Sequence, residues 1–132
     1  MADMNSVLNA IAADSVISAW NPRVCTVPNF SLKESETAKC CVVPIGIKYQ
    51  NLSRGNVQKT FVVDVGFIKR KKMLDVVSYV SDMEATAGHF ASASYGNARC
   101  LSVVHQPLYD AEQLRSRNLF QSVMTLELKE VS

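Results

Sequence analysis

Apolar residues recur along this chain with two different periods, and the changes between them predict the order of its elements. Helical spacing predicts a first helix over residues 4–20, in which Met4, Val7, Leu8 and Ile11 lie on one face. Asp3 is placed to cap its start. The pair Asn21-Pro22 ends it, because the residue before a proline disfavours helical geometry.

A longer apolar stripe predicts a second helix from about Met73 to Ala93. Its apolar positions follow helical spacing, while the residues between them are polar, as expected for a helix that covers a core. The residues of the stripe are Met73, Val76, Val77, Val80, Met83, Ala87 and Phe90.

Alternation in steps of two predicts strands. Residues 40–49 and 57–68 form two of them and are expected to pair as an antiparallel hairpin with a long polar tip at residues 50–56. Residues 98–106 form a third. A closing strand over 120–130 places Phe120, Met124, Leu126 and Leu128 on its core face.

Weaker segments complete the prediction. Residues 23–30 read as a poor strand suited to a sheet edge because they contain Pro28. Residues 31–39 are polar and predict a loop, and residues 110–117 predict one helical turn. The order predicts an α+β fold, with an antiparallel sheet of about four to five strands and two helices packed on one face. A single domain is expected over residues 1–132.

Composition narrows the class of protein. Hydrophobic residues make up 48% and charged residues 20%, which is ordinary for a globular domain. A net charge of +2 is too small to indicate a nucleic-acid-binding protein by itself. No apolar run reaches the ~18 residues that a membrane helix needs. The first residues lack a basic leader, so we expect a soluble protein that stays where it is made.

The cysteines predict neither a metal site nor a disulfide. Cys25, Cys40, Cys41 and Cys100 form no CxxC motif, and a structural zinc site needs close pairs at finger-like spacing. We therefore predict free thiols that behave as small apolar residues. No cofactor is expected, because the sequence contains none of the glycine-rich phosphate-binding motifs.

Catalytic residues are hard to find. A nucleophile pair of Cys100 with His105 is disfavoured, because an offset of five residues on one regular strand puts the two side chains on opposite faces. The acidic residues are scattered and no pair has an evident partner. We predict that the protein is not an enzyme.

A basic run is the strongest charge feature. It consists of Lys69, Arg70, Lys71 and Lys72 and lies where the second helix is predicted to open, an end at which the helix dipole disfavours cations. Two interpretations stay open. The run is either a solvated corner between strand and helix, or a contact with phosphate or an acidic neighbouring protein.

Residues 106–131 carry a resemblance to a known family. They begin with Leu108, Tyr109 and Asp110, continue with Leu114, Arg115, Arg117 and Asn118, and enter an amphipathic strand through Phe120 and Ser122. This ending, together with the hairpin and the long second helix, resembles the tail terminator (tail completion) family of long-tailed bacteriophages. The loop at 31–39 and the cysteines are not family features, which leaves open a related neck or head–tail joining protein.

The resemblance implies a virion structural protein of the tail or neck, assembled in the host cytoplasm. Such a subunit forms a hexameric ring that caps the tail tube and joins it to the head connector, with DNA passing through the lumen. Its partners are other copies of itself, the tail tube protein and the neck protein. No contact with a membrane is expected. The residues expected at subunit boundaries are Leu52, Arg54, Tyr109, Arg115 and Arg117.

Two alternatives remain at this point. One is another joining component, either a neck protein or the tube protein itself. The other is a small enzyme or ligand-binding domain, which needs a pocket with converging polar groups.

Overall fold

A computed structural model describes residues 3–25, 38–53, 55–70, 76–95, 97–106 and 119–130. The elements in chain order are helix α1 (Met4–Ala12), a 3-10 helix (Ser15–Trp20), strands β1 (Pro22–Val24), β2 (Ala38–Ser53) and β3 (Asn56–Arg70), helix α2 (Val76–Ala91), and strands β4 (Ser94–Tyr95), β5 (Ala98–His105) and β6 (Leu119–Glu130).

The six strands of the described residues form one curled sheet in the order β1-β2-β3-β6-β5-β4. Strand β1 pairs with β2 in parallel, and the other neighbours pair antiparallel. The expected antiparallel sheet of four to five strands with two helices on one face is therefore wrong. The described chain is mostly strand, its sheet is mixed, and it has three helical segments.

The discrepancy has local causes. Strands β1 and β4 have only three and two residues, so neither shows a period that sequence reasoning could detect. The stretch between Val24 and Ala38 is long enough for the crossover that parallel pairing requires.

The predicted first helix is two helices. Asp3 caps α1 as predicted, with Oδ1 accepting from the Ser6 N–H at 2.7 Å. Helix α1 then ends at Ala12, and Asp14 starts the 3-10 helix by accepting from the Val16 N–H at 3.0 Å. An aspartate favours a new cap over a continued helix, because its short side chain competes for nearby backbone N–H groups.

The hairpin is longer and its tip shorter than predicted. Strand β2 continues to Ser53 and β3 resumes at Asn56, so these two residues pair directly and Gly55 lies in the turn between them. Gly55 has φ 82°, a left-handed conformation that two-residue hairpin turns require and glycine adopts freely. The polar residues near the tip can form paired strands, because two strands without a further neighbour expose both of their faces to water.

A bulge between Pro44 and Gly46 changes which β2 side chains face the core. Cys40 and Val42 lie in the core before the bulge, and Ile47 packs against it afterwards. Cys41 and Val43 consequently occupy the opposite face, contrary to a single unbroken alternation.

One hydrophobic core joins the helices to the inner face of the sheet. Strands β3 and β6 form its centre, and the β6 core face is as predicted, with Phe120, Met124, Leu126 and Leu128 fully buried. On α2, Met83 and Phe90 are buried as predicted. Val77 is 79% exposed, however, and Tyr79 is buried instead.

Candidate functional site

The predicted interface residues lie mostly outside the described part of the chain. This applies to Arg54, Tyr109, Arg115 and Arg117. Leu52 belongs to β2, near the tip of the hairpin, although its side chain is not described. The assignment of these residues to a subunit boundary stays a prediction.

The basic run begins inside strand β3. Lys69 and Arg70 are its last two residues, whereas Lys71 and Lys72 fall outside the described residues. The Lys69 ammonium lies 5.1 Å from the centroid of the Trp20 ring and 5.1 Å from that of Tyr79. Two aromatic faces attract this cation, so Lys69 has a contact within its own chain. Whether the run also meets DNA or a partner stays a prediction.

The distal part of the hairpin, residues 45–60, is here called the ribbon. Pairing between β3 and β6 begins at Thr60 with Lys129, and Thr60 also pairs with Lys48. Residues 49–53 and 55–59 of the ribbon therefore extend beyond β6 as two strands, whereas Ile45 lies beside β3 residues that β6 still pairs with. Three of its large apolar side chains are exposed: Ile45 by 54%, Tyr49 by 64% and Val57 by 56%. Tyr49 and Val57 share the face that carries Phe61 further along, and so continue the core face into solvent.

A polar cluster that sequence reasoning missed joins three elements. Oδ2 of Asp14 accepts from the Tyr95 hydroxyl at 2.7 Å and from His89 Nε2 at 2.8 Å. Burial alone raises the pKa of Asp14, but the hydrogen bonds from the Val16 N–H, His89 and Tyr95 hold that pKa below its usual value. Burial, followed by the bond to Asp14, raises the pKa of Tyr95 well above its usual value.

A second missed pair lies between strands β5 and β6. His105 Nε2 forms a hydrogen bond with Oγ of Ser122 at 2.5 Å. Burial lowers the pKa of His105, while the negative charge of Glu84 opposes that shift. A serine, a histidine and a nearby carboxylate are the residue types of a hydrolytic site. However, Ser122 is 0% exposed, so a substrate carbonyl has no route to its hydroxyl.

The prediction that Cys100 and His105 lie on opposite faces of their strand is wrong. A bulge between Cys100 and Ser102 shifts the register, so that Cys100 lies opposite Leu128 and His105 opposite Met124. Both side chains therefore lie on the core face. They are four β6 positions apart, which corresponds to roughly 13 Å at the usual rise per residue and is too far for a nucleophile–base pair.

The four cysteines are free thiols, as predicted. Cys40, Cys41 and Cys100 are buried, and Cys25 is half-buried. Burial raises the pKa of the Cys25 thiol, and a hydrogen bond with Cys41 raises it further. The Cys25 thiol is therefore protonated at neutral pH, which makes it a weak nucleophile.

The described residues bring together no group of three or more side chains suited to hold a metal ion. Among the described helices, none has the length and apolar character needed to cross a membrane. Comparison with protein-family models and with curated proteins finds no match to this chain.

Proposed function

We propose that this chain is a structural protein of a long-tailed bacteriophage virion, the tail terminator, which forms a ring that ends the tail tube and joins it to the head connector. The observation that carries the proposal is the ribbon, whose outer part extends past the β3–β6 pairing with Tyr49 and Val57 exposed. Apolar side chains grouped on a protruding element are characteristic of an association surface.

The stretch that resembles the family also has a structural role consistent with the proposal. Its strand portion is β6, which lies between β3 and β5 near the middle of the sheet. Phe120 and Ser122 are fully buried there, so the motif residues that the structure describes belong to the core. This supports a scaffold in which β6 anchors the preceding segment, from which Arg115 and Arg117 would reach a neighbouring subunit.

A ring subunit needs a rigid body and distinct surfaces for its two neighbours. Heterologous contacts that close on themselves generate a ring, whereas contacts that do not close generate a filament. The six-fold symmetry rests on the resemblance alone. The partners under this proposal are the tail tube below the ring, the neck protein above it and the DNA in its lumen, with the protein located in the virion.

Native mass spectrometry of the purified protein tests the proposal, together with negative-stain images recorded with and without isolated phage tail tubes. A closed ring, or density that caps the tube ends, is expected. Long tubes formed by the protein alone would identify a tube protein instead. A monomer that ignores the tubes would remove the support for a terminator and favour a ligand-binding domain.

A further inference from the structure

The ribbon carries positive charge as well as exposed apolar side chains. Its described residues contain Lys48 and Lys59 and no acidic residue. Lys48 is already engaged, since its Nζ lies 2.9 Å from Oε1 of Glu127 across the sheet. Lys59 pairs with Tyr49 in the register, so its position adjoins the exposed apolar patch of Tyr49 and Val57.

Helix α2 presents a surface of the opposite charge. Its residues contain Asp82 and Glu84 and neither lysine nor arginine. These two acids share the solvent side of the helix with Val77, Ser81 and Ala85, all of them exposed. We call this surface the α2 outer face. Val77 is 79% exposed and so has no role in the core. Helix propensity does not explain it either, because a valine loses side-chain freedom in a helix.

The two surfaces are complementary, because large side chains face small ones and positive charge faces negative charge. The ribbon offers the bulky Tyr49 and the cation of Lys59, while the α2 outer face offers small residues, one valine and two carboxylates. Apolar contact removes water from Tyr49 and Val77, and the opposite charges direct the encounter. Within one chain the surfaces belong to different halves of the sheet, because α2 packs on β5 and β6 whereas the ribbon extends from β2 and β3.

We propose that the ribbon of one copy of this chain docks on the α2 outer face of a second copy. Two different surfaces on one subunit produce a head-to-tail contact, which is the type that builds rings. The inference rests on the proposed function, because it identifies the contact between neighbouring subunits of the proposed ring. It states which surface of the neighbouring copy each of the two surfaces contacts. It also assigns Asp82 and Val77 to the subunit boundary, for which the sequence predicted other residues.

Site-specific cross-linking tests this contact in the full chain. Asn51 lies on the ribbon face of Tyr49 and Val57, and Ser81 lies on the α2 outer face; both are exposed and polar. The substitutions Asn51→Cys and Ser81→Cys are made in a Cys25→Ser background, which leaves only buried native thiols. A short bismaleimide is then added to each single variant, to their mixture and to the double variant.

A head-to-tail contact predicts no product from either single variant, a dimer of unlike chains from the mixture, and a ladder of multimers from the double variant. Asn9→Cys on the exposed side of α1 is the matched control and should give no ladder with Ser81→Cys. Asp82→Asn should weaken assembly, and added salt should weaken it in the unmodified chain.

Each contrary result has a distinct meaning. Dimers from Asn51→Cys alone would indicate a symmetric contact and overturn the proposal. Rings in native mass spectrometry without the ladder would overturn this contact and leave the proposed function standing. Monomers without the ladder, at the same protein concentration, would overturn both.

Discussion

Tyr95 donates its hydroxyl to Oδ2 of Asp14 at 2.7 Å, and thereby connects strand β4 to the junction between α1 and the 3-10 helix. The two residues are 81 positions apart in the chain. Asp14 also caps the 3-10 helix through the Val16 N–H, so one carboxylate fixes both a helix start and a long-range contact. Strand β4 has only two residues, and this bond adds a side-chain anchor to its short ladder.

Tyr95→Phe should lower the free energy of unfolding by about 2 kcal/mol, because hydrogen bonds to charged groups are stronger than neutral ones. Urea unfolding measures the change. Tyr49→Phe is the matched control when both variants are measured at a protein concentration at which the chain is monomeric, since Tyr49 is 64% exposed in the single chain. Equal unfolding midpoints for the two variants would show that the Asp14 contact contributes nothing to stability.

The stability of the protein should fall as the pH is lowered through the range in which His105 titrates. Burial places the pKa of His105 below its usual value of about 6.5, so the unfolded chain takes up its proton first. The contribution is complete above the unfolded pKa and is lost as pH falls through the folded pKa. Urea midpoints measured from pH 7.5 downward should therefore decrease.

His105→Asn removes that titration and should flatten this part of the pH profile. Asn can still form a hydrogen bond with Ser122, so the variant is expected to fold. An unchanged slope in the variant would assign the pH dependence to other groups.

Lys69→Gln should destabilise the protein by about 1 kcal/mol, because it removes the cation that lies between the rings of Trp20 and Tyr79. Lys48→Gln makes the same change at an exposed ion pair and should cost less than about 0.5 kcal/mol. Thermal or urea unfolding of both variants gives the comparison. A larger loss at Lys48 would contradict the role given to the aromatic pair.

Alanine substitution of two glycines should change stability in opposite directions. Gly55→Ala should cost about 1 kcal/mol, since the turn holds that residue at φ 82°, a strained conformation for alanine. Gly88→Ala should stabilise the protein by about 0.5–1 kcal/mol, because Gly88 lies within α2 and an added Cβ contacts nothing there. The unfolding midpoints of the two variants check both signs.

Periodicity predicted the strong elements of the fold. Strands β3 and β6 pair without a bulge, and the predicted core residues of β6 are buried. Strand β2 was predicted as an element, but its alternation does not run unbroken, because the extra residue between Pro44 and Gly46 reverses it. A bulge depends on how two strands pair, and a single stretch of sequence does not encode that visibly.

The polar clusters were beyond prediction for a related reason. Asp14, His89 and Tyr95 come from three separate elements, and only the packed fold brings them together. His105 and Ser122 are 17 residues apart and meet through the register of β5 with β6. Their residue types gave no signal in the sequence, because histidine near a strand end and serine within a strand are both common.

The order of the strands has a consequence for how the protein emerges from the ribosome. Strand β3 pairs with β2 through the turn at Gly55, but its other edge has no partner until β6, the last of the described strands, has been synthesised. Until then residues 60–70 of β3 lack their pairing partners on that side. The nascent chain therefore exposes an unpaired strand edge until β6 has been synthesised. A chaperone that shields such edges would raise the yield of folded protein.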